Sequence, residues 1–289
     1  MRSGFTFKNR HSSEFGITLR TKSRQLLPEV RTSFYDTPLA DGSYDFSESN
    51  PFGREFYNDR IFELEMRITA GCLAELEQKC ARIAAWLRGR GELIFDSAAG
   101  VKWSGRFVSD TAFTPERRGK TALLTAMFRT SPSGSAVFNT IDGVLLGGGV
   151  VLESDIPLDM TEYFEIPLPY GESAVRAVNI GDFYVRPVFE FDGAAENISV
   201  RLGDSKIYLE NIIGDTKIID CKKCTVTAVN SDGEENGMSC MRGEFFELPP
   251  GVSELTVYVS EPCIMRIRYT PQTIYDFDFS HIDWGEEDA

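Results

Sequence analysis

The chain is poor in the groups on which most chemistry at neutral pH relies. Among 289 residues there are two histidines, His11 and His281, one near each end. Each reads as a lone surface side chain, because histidine works as a base or metal ligand in the company of other groups. No apolar run approaches the roughly 20 residues of a membrane-crossing helix, so membrane insertion is not expected. Met1-Arg2-Ser3-Gly4-Phe5-Thr6 has no apolar stretch behind its charge. A secretory leader is therefore not expected, and synthesis in a cytoplasm is. There is no P-loop and no dinucleotide-binding glycine pattern after a strand. Gly171-Glu172-Ser173-Ala174-Val175 lacks the second glycine of a nucleophile elbow. The 44 carboxylates name no catalytic pair, because such a pair is defined by separation in space. Neither an enzyme nor a cofactor is expected.

Positive charge is scarce in one half. The net charge is −14. Residues 1–140 hold 20 Lys and Arg against 16 Asp and Glu, and residues 141–289 hold 10 against 28. Such an offset suggests two domains, 1–140 and 141–289, in different surroundings. It also argues against nucleic acid as a partner, since an acidic surface repels phosphates.

The six cysteines are Cys72, Cys80, Cys221, Cys224, Cys240 and Cys263. In a leaderless chain of this size they are expected to be reduced. Cys72 and Cys80 lie about 12 Å apart along a helix axis, too far to bond, and read as small buried residues. Cys221-Lys222-Lys223-Cys224 has the spacing of a zinc knuckle or redox pair, and Cys240 and Cys263 could complete four ligands. Against this, the pair lies between two strand segments with the lysines as a tight turn. Asn197-Ile198-Ser199 matches a glycosylation sequon, which has meaning only in a secreted protein.

The first half is strand-rich with one helix. Phe62, Leu64, Met66 and Ile68 recur at period two and predict a half-buried strand. Leu73, Leu76, Cys80, Ile83 and Leu87 step by three and four along one helical face, and Gly89 and Gly91 end it. Short strands are expected at Phe5–Phe7, Gly16–Leu19 and Leu26–Val30. Further strands are expected at Leu93–Phe95, Val101–Val108 and Thr121–Phe128, with Val101, Trp103 and Phe107 facing the core. Residues 36–58 are rich in turns yet carry aromatics. They read as a long hairpin or arm that packs on a neighbouring subunit, because aromatics serve as interface anchors. The candidate contact residues are Tyr35, Leu39, Asp41, Gly42, Tyr44, Phe46, Phe52 and Phe56. The alternative is a surface loop tucked onto its own core.

The second half reads as many short strands separated by Gly, Asp, Asn and Pro turns. They are expected at Val150–Leu152, Tyr184–Phe191, Ile198–Leu202, Lys206–Ile213, Lys217–Asp220, Thr225–Val229, Phe245–Leu248, Leu255–Val259 and Met265–Tyr269. Such a series implies an antiparallel sandwich or jelly roll. Tyr275–Phe279 alternates aromatic with acid and could add an edge strand.

Several stretches, in their order, resemble the distal tail protein family of long-tailed phages. In the first half these are Phe15-Gly16-Ile17, the arm around Ala40-Asp41-Gly42, the strand Ile61–Ile68, the helix ending Ile83-Ala84-Ala85-Trp86-Leu87, and the strand Trp103–Val108. In the second half they are Ile218-Ile219-Asp220-Cys221, Gly243–Gly251 and Met265–Tyr269. The Cys221/Cys224 pair and the residues past Thr270 depart from the pattern. The resemblance implies a mainly β chain with an N-terminal ring-forming domain and a galectin-like C-terminal sandwich. It implies a homo-hexameric ring at the virion tail tip, made in the bacterial host cytoplasm. The ring would meet the major tail tube protein, the tape measure protein and the tail-associated fibre or lysin protein, and catalyse nothing. The other reading is a carbohydrate-binding module that contacts host saccharide through the sandwich.

Overall fold

The computed structural model describes residues 4–36, 38, 41–50, 53–108, 112–116, 120–137, 165–231 and 233–275, without the side chains of 21, 22 and 112–116. The chain divides into two units. One comprises Met1–Ser135 with Ile274–Asp276, and the other Ala136–Thr273 with Phe277–Ala289.

The first unit contains β1 (Phe5–Phe7), β2 (Arg10–His11), β3 (Ile17–Ser23), β4 (Phe34–Asp36), β5 (Ser43–Asp45), β6 (Arg60–Thr69), α1 (Leu73–Leu87), β7 (Arg90–Phe95), β8 (Ala98–Phe107), β9 (Ala112–Glu116) and β10 (Thr121–Thr130). The main sheet runs in the order β2-β1-β7-β8-β10-β6-β3, with β9 also on β10, while β4 and β5 pair only with each other. β6 and β10 are aligned antiparallel from Arg60–Thr130 to Thr69–Thr121. The period of two in β6 has its expected meaning: Phe62, Leu64, Met66 and Ile68 are buried and the residues between them are exposed or half-buried. Gly105 in β8 is required by packing, because a Cβ there would lie 2.2 Å from the Arg129 carbonyl oxygen.

The helix buries Leu76, Ile83, Trp86 and Leu87. Trp86 stacks on Phe15 at 4.2 Å and on Phe5 at 5.6 Å between ring centroids, and its indole N–H donates to the Phe7 carbonyl at 3.0 Å. These contacts concentrate the docking in the last turns. The first turn is therefore less covered, which corrects two expectations. Leu73 is 52% exposed. Cys72 is exposed and Cys80 half-buried, since Cys72 is the extended residue before the helix and not on its stripe. Gly89, with φ +86°, follows the last helical turn as the sequence suggested. Leu26–Val30 forms no strand; Val30 alone bridges to Tyr57.

Arg60, the first residue of β6, is fully buried. Its guanidinium donates to the carbonyls of Gln25, Pro132 at 3.3 Å, and Ile274. It lies 5.0 Å from the Trp103 ring centroid and 5.5 Å from that of Phe62. Burial, and then the nearby Arg24 charge, bring its pKa down to about 10, so it remains charged at neutral pH. Arg24 in turn stacks on Tyr275 at 4.0 Å. Ile274 and Tyr275, beyond the stretch that the resemblance explains, thus enter the first unit as an acceptor and a stacking partner.

Past β11 (Gly134–Ala136), the second unit contains β12 (Glu165–Leu168), β13 (Gly171–Asn179), β14 (Val188–Gly193), β15 (Ile198–Leu202), β16 (Ser205–Leu209), β17 (Thr216–Asp220), β18 (Thr225–Asn230), β19 (Gly233–Asn236), β20 (Met241–Gly243), β21 (Gly251–Val259), β22 (Cys263–Arg268) and β23 (Gln272–Thr273). One sheet has the order β12-β22-β14-β17-β18-β19 and the other β13-β21-β15-β16-β20. Phe189, Phe191, Val200, Ile219, Val257 and Met265 contribute to one shared core. The chain is mainly β, and this unit is the expected antiparallel sandwich. Phe245–Leu248 is not a strand, because Leu248 makes a single bridge to Val185 and two prolines follow it. The segment 206–213 leaves its strand after Leu209. Val150–Leu152 and Phe277–Phe279 lie outside the described residues.

Replacing Arg60 with Met keeps the volume but removes charged donors from buried carbonyls. The expected loss is on the order of 3 kcal/mol of stability, read as a lower denaturant midpoint for the R60M protein. A conservative Lys, whose ammonium lacks the planar fork, should recover only part of it.

Candidate functional site

The arm begins and ends on paired backbone. Arg31 N–H donates to the Phe56 carbonyl at 2.7 Å, and Asn58 N–H to the Glu29 carbonyl at 2.8 Å. Between them β4 and β5 pair Phe34 with Asp45, Tyr35 with Tyr44, and Asp36 with Ser43. Gly42, at φ +82°, supplies the left-handed residue just before β5. A two-stranded ribbon by itself is marginally stable in water, and side-chain bonds support this one. The Asp45 carboxylate accepts from Ser47 N–H at 2.9 Å and from its hydroxyl at 2.5 Å. The hydroxyl oxygen accepts from Ser33 N–H at 3.0 Å. Those Ser47 bonds hold the Asp45 carboxyl below its ordinary pKa.

The arm does not tuck its rings away. Phe34 is 59% exposed, Tyr35 62%, Tyr44 60%, Phe46 48% and Phe56 37%. Tyr35 and Tyr44 sit directly across from one another. Asp41 is exposed beside Gly42. Leu39 and Phe52 lie outside the described residues. Apart from Phe34, every exposed ring was named from the sequence. Phe34 was missed although it adjoins Tyr35, which was named. Residues 36–58 also carry five carboxylates, Asp36, Asp41, Asp45, Glu48 and Glu55, against Arg54 alone.

The sandwich carries a groove of about 520 Å³ lined by Tyr184, Arg186, Lys222, Lys223, Glu247 and Arg268 among others. Tyr184 is 45% exposed. Arg186 pairs with Glu247 at 2.9 Å, and Lys223 with Asp220 at 3.2 Å.

The cysteine pair occupies the turn between β17 and β18. Asp220 Oδ1 accepts from Lys222 N–H and Lys223 N–H, both at 2.9 Å, and Cys224 takes φ +55°. Cys221 is buried, and loss of solvent pushes its thiol up to about 12. A thiol so protonated is neither a nucleophile nor a ready metal ligand at neutral pH. Among the described residues no three His, Cys, Asp or Glu side chains group to hold a metal ion. His11 caps the 3₁₀ turn Ser12–Phe15, with Nε2 at 3.1 Å from Asp96 Oδ1, which gives it a local structural task. His281 lies outside the described residues.

Residues 180–272 match the family described as Siphovirus-type tail component, C-terminal domain. That stretch takes in most of the sandwich, so the resemblance to the distal tail family holds there. Among solved structures, the chain is similar to the SPP1 Dit (gp 19.1) protein, described as a paradigm of the hub adsorption apparatus in phages that infect Gram-positive hosts. The two share 11% identity over 93% of this chain and 98% of that one, with a TM-score of 0.66. At that identity the likeness establishes the fold. A chain of the phage P2 baseplate in its activated conformation with calcium aligns at 9% identity over 95% of this chain and 100% of that one, with a TM-score of 0.43. A comparison with curated proteins finds no match.

The buried Cys221 thiol predicts a test. At pH 8 a thiol reagent should modify the exposed Cys72 and Cys224 while leaving Cys221 intact until the protein unfolds, as peptide mass mapping would read. The folded pKa lies above the unfolded value near 8.5. The neutral thiol's contribution to stability is therefore complete below about pH 8.5 and declines as pH rises toward 12.

Proposed function

We propose that the protein is the ring-forming hub of a long-tailed phage tail tip, or of a prophage's. In this reading residues 1–140 build the ring and residues 141–289 form a galectin-like sandwich on its rim. The hexamer joins the tail tube, with the tape measure protein, to a tail-associated fibre or lysin protein. It is a structural part of the virion and catalyses no reaction. The observation that carries the reading is the match of residues 180–272 to a siphovirus tail component. The arm supports it: five exposed rings on a paired base suit a subunit contact better than a free surface.

The second reading is host saccharide binding by the sandwich. It is favoured by Tyr184, an exposed ring in a groove with charged hydrogen-bonding groups, since sugars bind on aromatic faces flanked by polar side chains. Screening the full chain on a glycan array should give binding that Tyr184→Ala removes. A blank array leaves the structural role alone.

Deleting residues 36–58 tests the ring. The deletion protein should fold, with its β content otherwise intact by circular dichroism, yet scatter light as a monomer where the native chain runs at ring mass. A deletion protein that still forms the ring would remove the arm from assembly.

A further inference from the structure

The first unit carries a groove of about 530 Å³, lined by Arg10, Glu14, Phe15, Gly16, Lys79, Arg82, Ala85 and Trp86. Half-buried Phe15 is its aromatic wall, while Trp86 is buried and stacked on both Phe15 and Phe5. Phe15 and Trp86 stack at 4.2 Å with 13° between their planes. Its rim is basic, with Arg10, Lys79 and Arg82 against the single acid Glu14. Arg10 lies 4.4 Å over the Phe15 ring and pairs with Glu14 at 3.0 Å. Lys79 pairs with Glu75 at 2.9 Å. Arg82 is exposed, within electrostatic reach of Glu75, whose carboxyl pKa it helps to lower after Lys79 and the Gly71 N–H. Ala81, Ala84 and Ala85 are exposed around it, so nothing bulky keeps a flat ring from the helix surface. Of the groove's helical residues Trp86 also serves the core, alongside Leu76, Ile83 and Leu87, while Arg82 and Ala85 face outward.

The arm is the complement of this groove in every respect. It is acidic where the groove is basic, with five carboxylates against one arginine over 36–58. It exposes aromatic rings where the groove offers Phe15 beside small exposed side chains. Complementary but different patches on one chain make a head-to-tail contact, which closes into a ring when the rotation permits. We propose that the arm of one copy docks in this groove of the next copy, with its rings over Phe15, Ala84 and Ala85 and its carboxylates on Arg82 and Lys79. The inference rests on the ring-forming reading and adds to it the receiving surface. Charge complementarity of this kind sets register and discriminates against wrong neighbours.

The test uses the full chain and charge reversal on both sides. Arg82→Glu lies on an exposed helix face and should leave the fold intact. It should move the assembly midpoint, read by light scattering across a dilution series, to about tenfold higher concentration. Asp36→Arg with Asp41→Arg should do the same. Combining the two sets should restore assembly toward the native midpoint, which a general loss of stability would not. A photo-crosslinker at Tyr44 should capture residues 79–86 of a differently tagged copy. An Arg82→Glu protein that assembles like the native chain, while the 36–58 deletion stays monomeric, overturns the groove and leaves the arm's role standing. A deletion protein that still assembles, or a native chain monomeric at every concentration, overturns both.

Discussion

The first unit is organised around one buried guanidinium. Arg60 sits where β6 begins and gathers carbonyls from Gln25, Pro132 and Ile274, positions far apart in the chain. A buried backbone carbonyl without a donor is costly, and arginine is the side chain that can reach several at once with a fixed fork. The same cation lies against the rings of Phe62 and Trp103, so it also closes the end of the aromatic core. Ile274 and Tyr275 belong to the first unit although they follow the sandwich strands in sequence. The Arg60 bond to Ile274 and the Arg24 stack on Tyr275 are among the contacts that hold them there.

A second constraint separates what the helix does for the fold from what it leaves free. Trp86 and Ile83 close the core, while Arg82, Ala84 and Ala85 look outward. One turn of helix thus serves both the core and an outward surface. The arm divides its residues in a comparable way. Asp45, Ser47 and the backbone near Val30 and Tyr57 hold the ribbon's shape, which leaves Phe34, Tyr35, Tyr44 and Phe46 unburied. Polar bonds, and not a core, give this segment its order.

Much of the fold was legible because strands half in water must alternate. β6 read from period two, β15 and β17 from short strand-like runs between turns, and the helix from its steps of three and four. Periodicity failed where a residue's neighbours come from elsewhere in the chain. Leu73 fits the helical stripe but has little above it, since the docking is concentrated at Trp86. β13 has small residues at its buried positions, Val175, Ala177 and Asn179, and small residues give a weak hydrophobic signal. Arg60 looked like the polar flank of a strand, and only the converging carbonyls explain its burial. The candidate arm was legible from its aromatics among turn residues, but composition does not tell exposed rings from tucked ones.

The sequence by itself determined the class of each half, the span of the helix, the sandwich, and the want of any catalytic pattern. These follow from local patterns of burial and turn chemistry. Tertiary structure decided which aromatics face water, that Cys221 is sealed in a hairpin turn, and that the last described residues return to the first unit. It also decided that Arg10, Lys79 and Arg82 share one groove with Phe15 and Trp86. Those outcomes depend on which distant segments meet, and no local pattern in a single chain encodes that directly.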